Sequence, residues 1–319
     1  LPESGDFVIP YTREAESDYG ELDFTTPYIC VTGGSRAALS PEDAFDGYCQ
    51  LVEQLCRLEH PVYLVPTCAG DTRFLPDVAQ ETDDAELLDH LTDLWENMTT
   101  KRMYVTGGIG SSHEGERFTE DYDLPNDTSY AETCASLGSI LWSQRLLQST
   151  REARFGDLQS RTLYNALLAG LSLNGKRFFY ANPHEMGPDG HPLHHVDENR
   201  FANERQGWVE TACCPTNVPR LLASLATQVY AFDDSSVYVN HHIGGEATVE
   251  VAGTDVTLDQ ETSFPWDAET RVTVTPEETA TFELALRVPE WCEDVSVTVA
   301  GESVDATPGE FLRVEREWS

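Results

Sequence analysis

Residues 217–251 read NVPRLLASLATQVYAFDDSSVYVNHHIGGEATVEV, and the fold is decided by the change of period inside this stretch. Up to about Tyr230 the apolar residues keep helical spacing, behind Asn217-Val218-Pro219, where proline suits a first helical turn. From Ser236 the period is two: Val237 and Val239, then Val249 and Val251. Towards the C-terminus the alternation continues through Val272 and Val274, through Phe282, Leu284, Leu286 and Val288, and through Val295, Val297 and Val299. Gly, Pro and Asp separate these runs, which predicts an antiparallel β-sandwich over 233–319.

Towards the N-terminus the pattern is helical. Ala85, Leu87, Leu88, Leu91, Leu94 and Trp95 recur at helical spacing after Asp83-Asp84, which can cap the helix start. A second helix is predicted from about Tyr130 to Gln148, with Ala131, Cys134, Leu137, Ile140, Leu141 and Leu147 on one face. A third is predicted from about Asp157 to Leu171. Residues 1–78 are rich in Pro, Gly and Asp, and Glu42 to Leu58, after Ser40, is their one helical candidate. The chain is therefore expected to be mainly α, then β, with a divergent N-terminal segment (1–78), a helical region (79–232) and a β region (233–319). It begins at Leu1 without an initiator Met and stops just after the strand-like run Glu310 to Val314. Both ends are expected to be cut from something longer, which leaves room for a lost signal peptide.

Charge limits the partners. Asp and Glu number 56 against 20 Lys and Arg, a net charge of −36. With no basic stripe to meet phosphates, nucleic-acid binding is excluded. The acid is spread along the chain rather than blocked, which reads as a surface adapted to a high-salt cytoplasm, i.e. a halophilic protein. No run reaches the roughly 18 apolar residues of a membrane span, so a soluble protein is expected, and with the high-salt reading its expected place is cytoplasmic. Whether two chains pair in a homodimer is left open.

Eight cysteines are too few for a disulfide scaffold of this length. Cys30, Cys49, Cys56 and Cys68 have irregular spacings and suggest no zinc ribbon, and Cys292, beside Trp291, is expected to be a small buried apolar residue. Cys134 and the adjacent pair Cys213-Cys214 remain. Neighbouring cysteines rarely bridge each other, because the ring is strained, so this pair is free thiol or metal ligand.

Three segments concentrate unusual polar residues: His113-Glu114-Gly115-Glu116, Glu132-Thr133-Cys134, and Trp208 to Asn217. Three cysteines and a carboxylate can complete a four-coordinate zinc site. On a regular helix Glu132 and Cys134 would point to different faces, so shared ligation needs an irregular segment or a first turn. On spacing alone, a metal site and a buried core with Cys213-Cys214 in a turn stand level. The run Met103 to Ser112 ends in a glycine-rich loop, but its spacing fits neither dinucleotide nor P-loop patterns.

The motifs decide between them by resemblance. Thr106-Gly107-Gly108-Ile109-Gly110-Ser111, Gly115-Glu116, Asp121-Tyr122-Asp123-Leu124-Pro125-Asn126-Asp127, Tyr130-Ala131-Glu132-Thr133-Cys134-Ala135-Ser136 and Cys213-Cys214-Pro215 resemble the core motifs of glycoside hydrolase family 127, the β-L-arabinofuranosidases. Leu163-Tyr164-Asn165, Phe178-Phe179-Tyr180 and Asn182-Pro183 extend the likeness, which covers about 79–319. It implies a partial (α/α)6-barrel catalytic region followed by the β-sandwich. It also implies zinc held by Glu132, Cys134, Cys213 and Cys214, with Cys213 as nucleophile, Glu116 as acid/base and Tyr180 near the sugar. A thiolate would then stand where retaining glycosidases commonly use a carboxylate, and a thioglycosyl intermediate would give retained configuration. His113 and His60 are further candidates for sugar contact. Such a barrel needs about a dozen helices, and this chain supplies four clear ones and a doubtful fifth. An inactive zinc-binding remnant and a carbohydrate-binding module are thus the alternatives to an active zinc-dependent hydrolase acting on a carbohydrate substrate.

Overall fold

The computed structural model describes residues 28–29, 63–64, 74–188, 202–208 and 213–319, so the helix expected over 42–58, and His60, lie outside the described residues. Strands β1 (Tyr28–Ile29) and β2 (Tyr63–Leu64) pair in parallel. Helices α1 (Phe74–Glu81) and α2 (Ala85–Lys101) follow. The predicted cap is present: the Asp84 side chain accepts a hydrogen bond from the Leu87 N–H at 3.0 Å, satisfying a donor left open at the helix start. α2 buries Leu87, Leu91, Trp95 and Met98, and the Trp95 indole donates to Ser143 Oγ at 2.9 Å.

α3 (Thr133–Thr150) departs from its one-faced prediction, since every residue from 133 to 144 is buried. The side chains that spoil its amphipathic pattern, Ala135, Ser136, Gly138, Ser139 and Ser143, are small enough to let neighbours close on all sides. The helix also starts three residues later than predicted, because Tyr130 to Glu132 are used in other pairings described below. α4 (Ala153–Thr162) replaces the predicted 157–171 helix and continues as one π turn, Leu163–Leu167, and one 3-10 turn, Leu168–Gly170. The glycine loop closes against it. Gly107 has φ +87°, and a Cβ there would lie 2.4 Å from Thr162 Oγ1 and 2.8 Å from Thr162 Cα, so only glycine fits.

α5 (Cys213–Ser224) corrects the expectation of a helix from Asn217, and α6 (Ala226–Val229) follows it. Pro219 had suggested a first turn, but Pro215 occupies that place and Pro219 lies inside the helix. Cys213 and Cys214 are therefore the first helical residues rather than a turn.

The β region forms a four-stranded sheet ordered β11 (Phe311–Trp318), β8 (Ala280–Arg287), β4 (Ser236–Val239), β3 (Tyr230–Phe232), and a three-stranded sheet ordered β5 (Gly245–Val251), β6 (Thr254–Thr262), β7 (Thr270–Pro276). β9 (Val297–Val299) and β10 (Glu302–Val304) make a separate hairpin. Val237, Val249, Val251, Val256, Leu258 and Phe282 form one hydrophobic cluster, to which both larger sheets contribute. The predicted antiparallel arrangement fails at one place: β4 and β8 pair in parallel. The chain between them builds the whole second sheet, a connection long enough to return in the same direction. Cys292 is half-buried rather than buried.

Contacts gather the chain into two compact units, one of residues up to Arg145 with Arg161–Val218, the other of Leu146–Ser160 with Pro219–Ser319. The second unit has a charged centre. Arg287, 1% exposed, pairs with Asp157, 7% exposed, and donates to Asn240 O at 2.5 Å and Ser160 Oγ at 2.9 Å. Gly156 makes room for it: a Cβ there would meet Arg287 Cδ at 2.7 Å. Among the described residues, no helix is long and apolar enough to cross a membrane.

Candidate active site

A short two-stranded ribbon positions the site. Thr133 N donates to Tyr180 O at 2.9 Å, Asn182 N to Tyr130 O at 2.9 Å, and Asn182 Nδ2 to Ala131 O at 2.9 Å. Tyr130, Glu132 and Tyr180 reach a cluster of thiols, and Ala131 and Ala181 also line a cavity of about 440 Å³ with Thr106, Asn165, Phe179 and His184. His184 is stacked on Tyr104 at 4.4 Å and held between the Ser129 and Thr106 hydroxyls at 2.9 Å each.

The two helix starts complete the cluster. Glu132 immediately precedes α3, Cys134 is its second residue, and Cys213 and Cys214 open α5. The first-turn placement resolves the spacing problem of Glu132 and Cys134, helped by Ala131 at φ +39°. One ligand atom from each of Glu132, Cys134, Cys213 and Cys214 lies within 4.8 Å of the others. Cys134 and Cys214 Sγ are 3.4 Å apart, Cys213 and Cys214 Sγ 3.9 Å. Glu132 Oε1 lies 3.4 Å from Cys213 Sγ and 3.7 Å from Cys214 Sγ. In a tetrahedron with zinc–sulfur bonds of about 2.3 Å, ligand atoms stand about 3.8 Å apart, so the donor set fits a tetrahedral ion in both kind and spacing.

Glu116 joins from the glycine loop. Its Oε1 accepts from Tyr130 Oη at 2.8 Å and lies 3.4 Å from Tyr180 Oη, which in turn lies 3.3 Å from Cys213 Sγ. Tyr180 thus bridges the carboxylate and the sulfur. Glu116 has φ +49°, an uncommon conformation for a residue with a side chain, of the kind that clusters at functional sites.

Burial and crowding redistribute the protons. Burial, reinforced by the Glu116 charge, raises the Glu132 carboxyl well above the usual carboxylate range. Hydrogen bonding with Cys213 raises the Cys134 thiol, hydrogen bonding with Cys134 and Cys213 raises that of Cys214, and burial raises the Tyr180 phenol. Cys213 moves the other way: hydrogen bonds from Cys134 and Cys214, then from Tyr180 and Glu132, stabilise its thiolate. Cys213 is the half-buried thiol of the set, while Cys134 and Cys214 are fully buried.

The six residues to which the resemblance gives a definite role, Glu116, Glu132, Cys134, Tyr180, Cys213 and Cys214, converge here. Two contributors were missed. Tyr130 stood in a motif without a role, yet it donates to Glu116. Asn217 donates from Nδ2 to Cys134 Sγ at 3.1 Å. It follows Cys214 by three residues and Cys213 by four, the spacing that places side chains on one helical face, a signal hidden by the wrong helix start.

Comparison with known proteins gives the family. Residues 69–227 match the family model for the β-L-arabinofuranosidase GH127 catalytic domain, and residues 236–319 that for the GH127 middle domain. A non-reducing end β-L-arabinofuranosidase of Bifidobacterium longum subsp. longum is 38% identical over 247 residues, which cover 76% of this chain and 36% of that protein. A solved GH127 β-L-arabinofuranosidase from Geobacillus stearothermophilus T6 matches with TM-score 0.73 and 39% identity, over 77% of this chain and 39% of its own. A second solved GH127 β-arabinofuranosidase matches with TM-score 0.74 and 28% identity, over 88% of this chain and 48% of its own. The chain thus spans about a third to a half of the length of these relatives. It belongs to the GH127 β-L-arabinofuranosidase family.

Proposed function

We propose that this member of the GH127 family is a zinc-dependent retaining glycosidase that releases β-L-arabinofuranose, or a closely related sugar, from a glycan. Glu132, Cys134, Cys213 and Cys214 would hold the zinc. When bound, the ion would supply a cysteine sulfur that stays deprotonated near neutral pH. Cys213 is the nucleophile: the half-buried member of the cluster, it attacks the anomeric carbon as Glu116 gives a proton to the leaving oxygen. The thioglycosyl bond on Cys213 is then broken by water, with Glu116 acting as base, and two inversions give net retention. Tyr180 orients both groups and contacts the sugar. In this proposal the helices are part of an (α/α)6 barrel over 79–232, and 233–319 is a β-sandwich domain. A reducing, cytoplasmic compartment suits three free thiols whose sulfurs all lie within 4.8 Å of one another.

The observation that carries the proposal is the juxtaposition of a four-donor cluster, one donor of which is Cys213, with Glu116 through the shared Tyr180 hydroxyl. Zinc per chain is the first test, for wild type and Cys214→Ala, followed by turnover of an aryl β-L-arabinofuranoside by wild type, Cys213→Ser and Glu116→Gln. About one zinc, lost in Cys214→Ala, is expected, with activity falling at least about a hundredfold in the other two variants. A folded, zinc-free wild type would sink the thiolate chemistry. Zinc without turnover would favour an inactive zinc-binding remnant, and neither zinc nor turnover a carbohydrate-binding module.

A further inference from the structure

Three thiolates and a carboxylate around a dication carry two more negative than positive charges, in a place where Glu132, Cys134 and Cys214 are at most 2% exposed. Such an excess is costly in a low-dielectric interior unless donors are aimed at it. A helix start can supply part of that compensation, because its first-turn N–H groups have no partners within the helix. We propose that Asn217 supplies the directed part: it is a positioning residue whose side-chain amide holds the Cys134 sulfur, fixing its orientation and reducing its electron donation to the metal. This deepens the functional proposal above and rests on it.

The geometry is specific. Nδ2 lies 3.1 Å from Cys134 Sγ, close for a hydrogen bond to sulfur. A thiolate only accepts, so the amide nitrogen and not its oxygen must face it. Cys134 is completely buried and comes from a different helix, so the bond ties the start of α3 to that of α5. Asn217 itself is only half-buried, and its replacement leaves no large void. Partners of this kind that orient metal ligands typically change metal affinity ten- to a hundredfold when removed.

The test uses cobalt, which can occupy a zinc site and gives a sulfur-to-metal charge-transfer band, in wild type, Asn217→Ala, Asn217→Asp and, as a control on the exposed side of the same helix, Arg220→Ala. A hydrogen bond to a thiolate stabilises its lone pairs, so losing it should move the band to longer wavelength. Asn217→Ala is expected to show that shift and at least about a tenfold loss of affinity in chelator competition. Asn217→Asp, nearly the same shape but a like charge beside the sulfur, should lose more, and Arg220→Ala should match wild type. A variant that fails to fold is identified by circular dichroism, and the nearly isosteric Asp variant then carries the comparison. Wild type that binds cobalt, with folded Asn217 variants unchanged in band and affinity, overturns this inference alone. Wild type that binds neither cobalt nor zinc overturns it together with the functional proposal.

Discussion

Replacing Asp157 by Ala should be one of the more damaging single changes in the unit built on the β strands. The carboxylate is the ionic partner of Arg287, and both groups are almost wholly buried. Removing it takes that charge away from a buried guanidinium that also donates to Asn240 O and Ser160 Oγ. Breaking a buried pair by deleting one partner typically costs about 3–5 kcal/mol. At an m-value of about 2 kcal/mol per M, that lowers the urea midpoint by about 2 M. Burial already raises the Asp157 carboxyl despite the nearby arginine, so desolvation is a large part of the balance. It follows that Asp157→Leu combined with Arg287→Met, which removes both charges, should recover much of the loss. The assay is urea unfolding followed by far-ultraviolet circular dichroism for wild type, both single variants and the double variant. An Asp157→Ala midpoint within about 0.5 M of wild type, or a double variant as unstable as the two singles summed, would refute the reasoning.

Burial lowers His241 from 6.5 to about 3 and His242 from 6.5 to about 4, so both are neutral in the fold and charged in the unfolded chain at mild acidity. Their stabilisation is complete above pH 6.5 and lost on acidification, by up to about 2.7 kcal/mol per pH unit between pH 6 and 4; His241→Gln with His242→Gln should flatten urea midpoints over that range. Gly107→Ala should destabilise by more than about 2 kcal/mol, because it combines a positive φ with contact against Thr162 backbone. Gly253→Ala, at φ +77° with open space around it, should cost only about 1 kcal/mol, and equal thermal-melt shifts for the two would refute the packing explanation.

Where local chemistry determines local structure, the sequence was legible. Asp84 caps α2 as its position before the helical run suggests, and the alternating valines become strands whose inward residues meet in one cluster. The site residues were legible as a set because their motifs are long, although spacing alone left them undecided. What could not be read was decided by tertiary pairing. Tyr130 to Glu132 look helical, but the 180–182 segment draws them into a ribbon and the helix begins at Thr133. Either of two prolines could have opened α5, and only packing selects Pro215. The parallel pairing of β4 with β8 depends on partners more than 40 residues apart, beyond the reach of any local pattern.

The hydrogen bonds between residues 130–133 and 180–182 put the reacting groups and the cavity on neighbouring residues of the same two segments. Tyr130, Glu132 and Tyr180 reach the thiol cluster, and Ala131 and Ala181, next to them in the chain, line the cavity. Whatever occupies that cavity therefore sits one peptide unit from the carboxylate and the phenols, which gives an enzyme engineer a handle on the site that leaves every reacting side chain as it was.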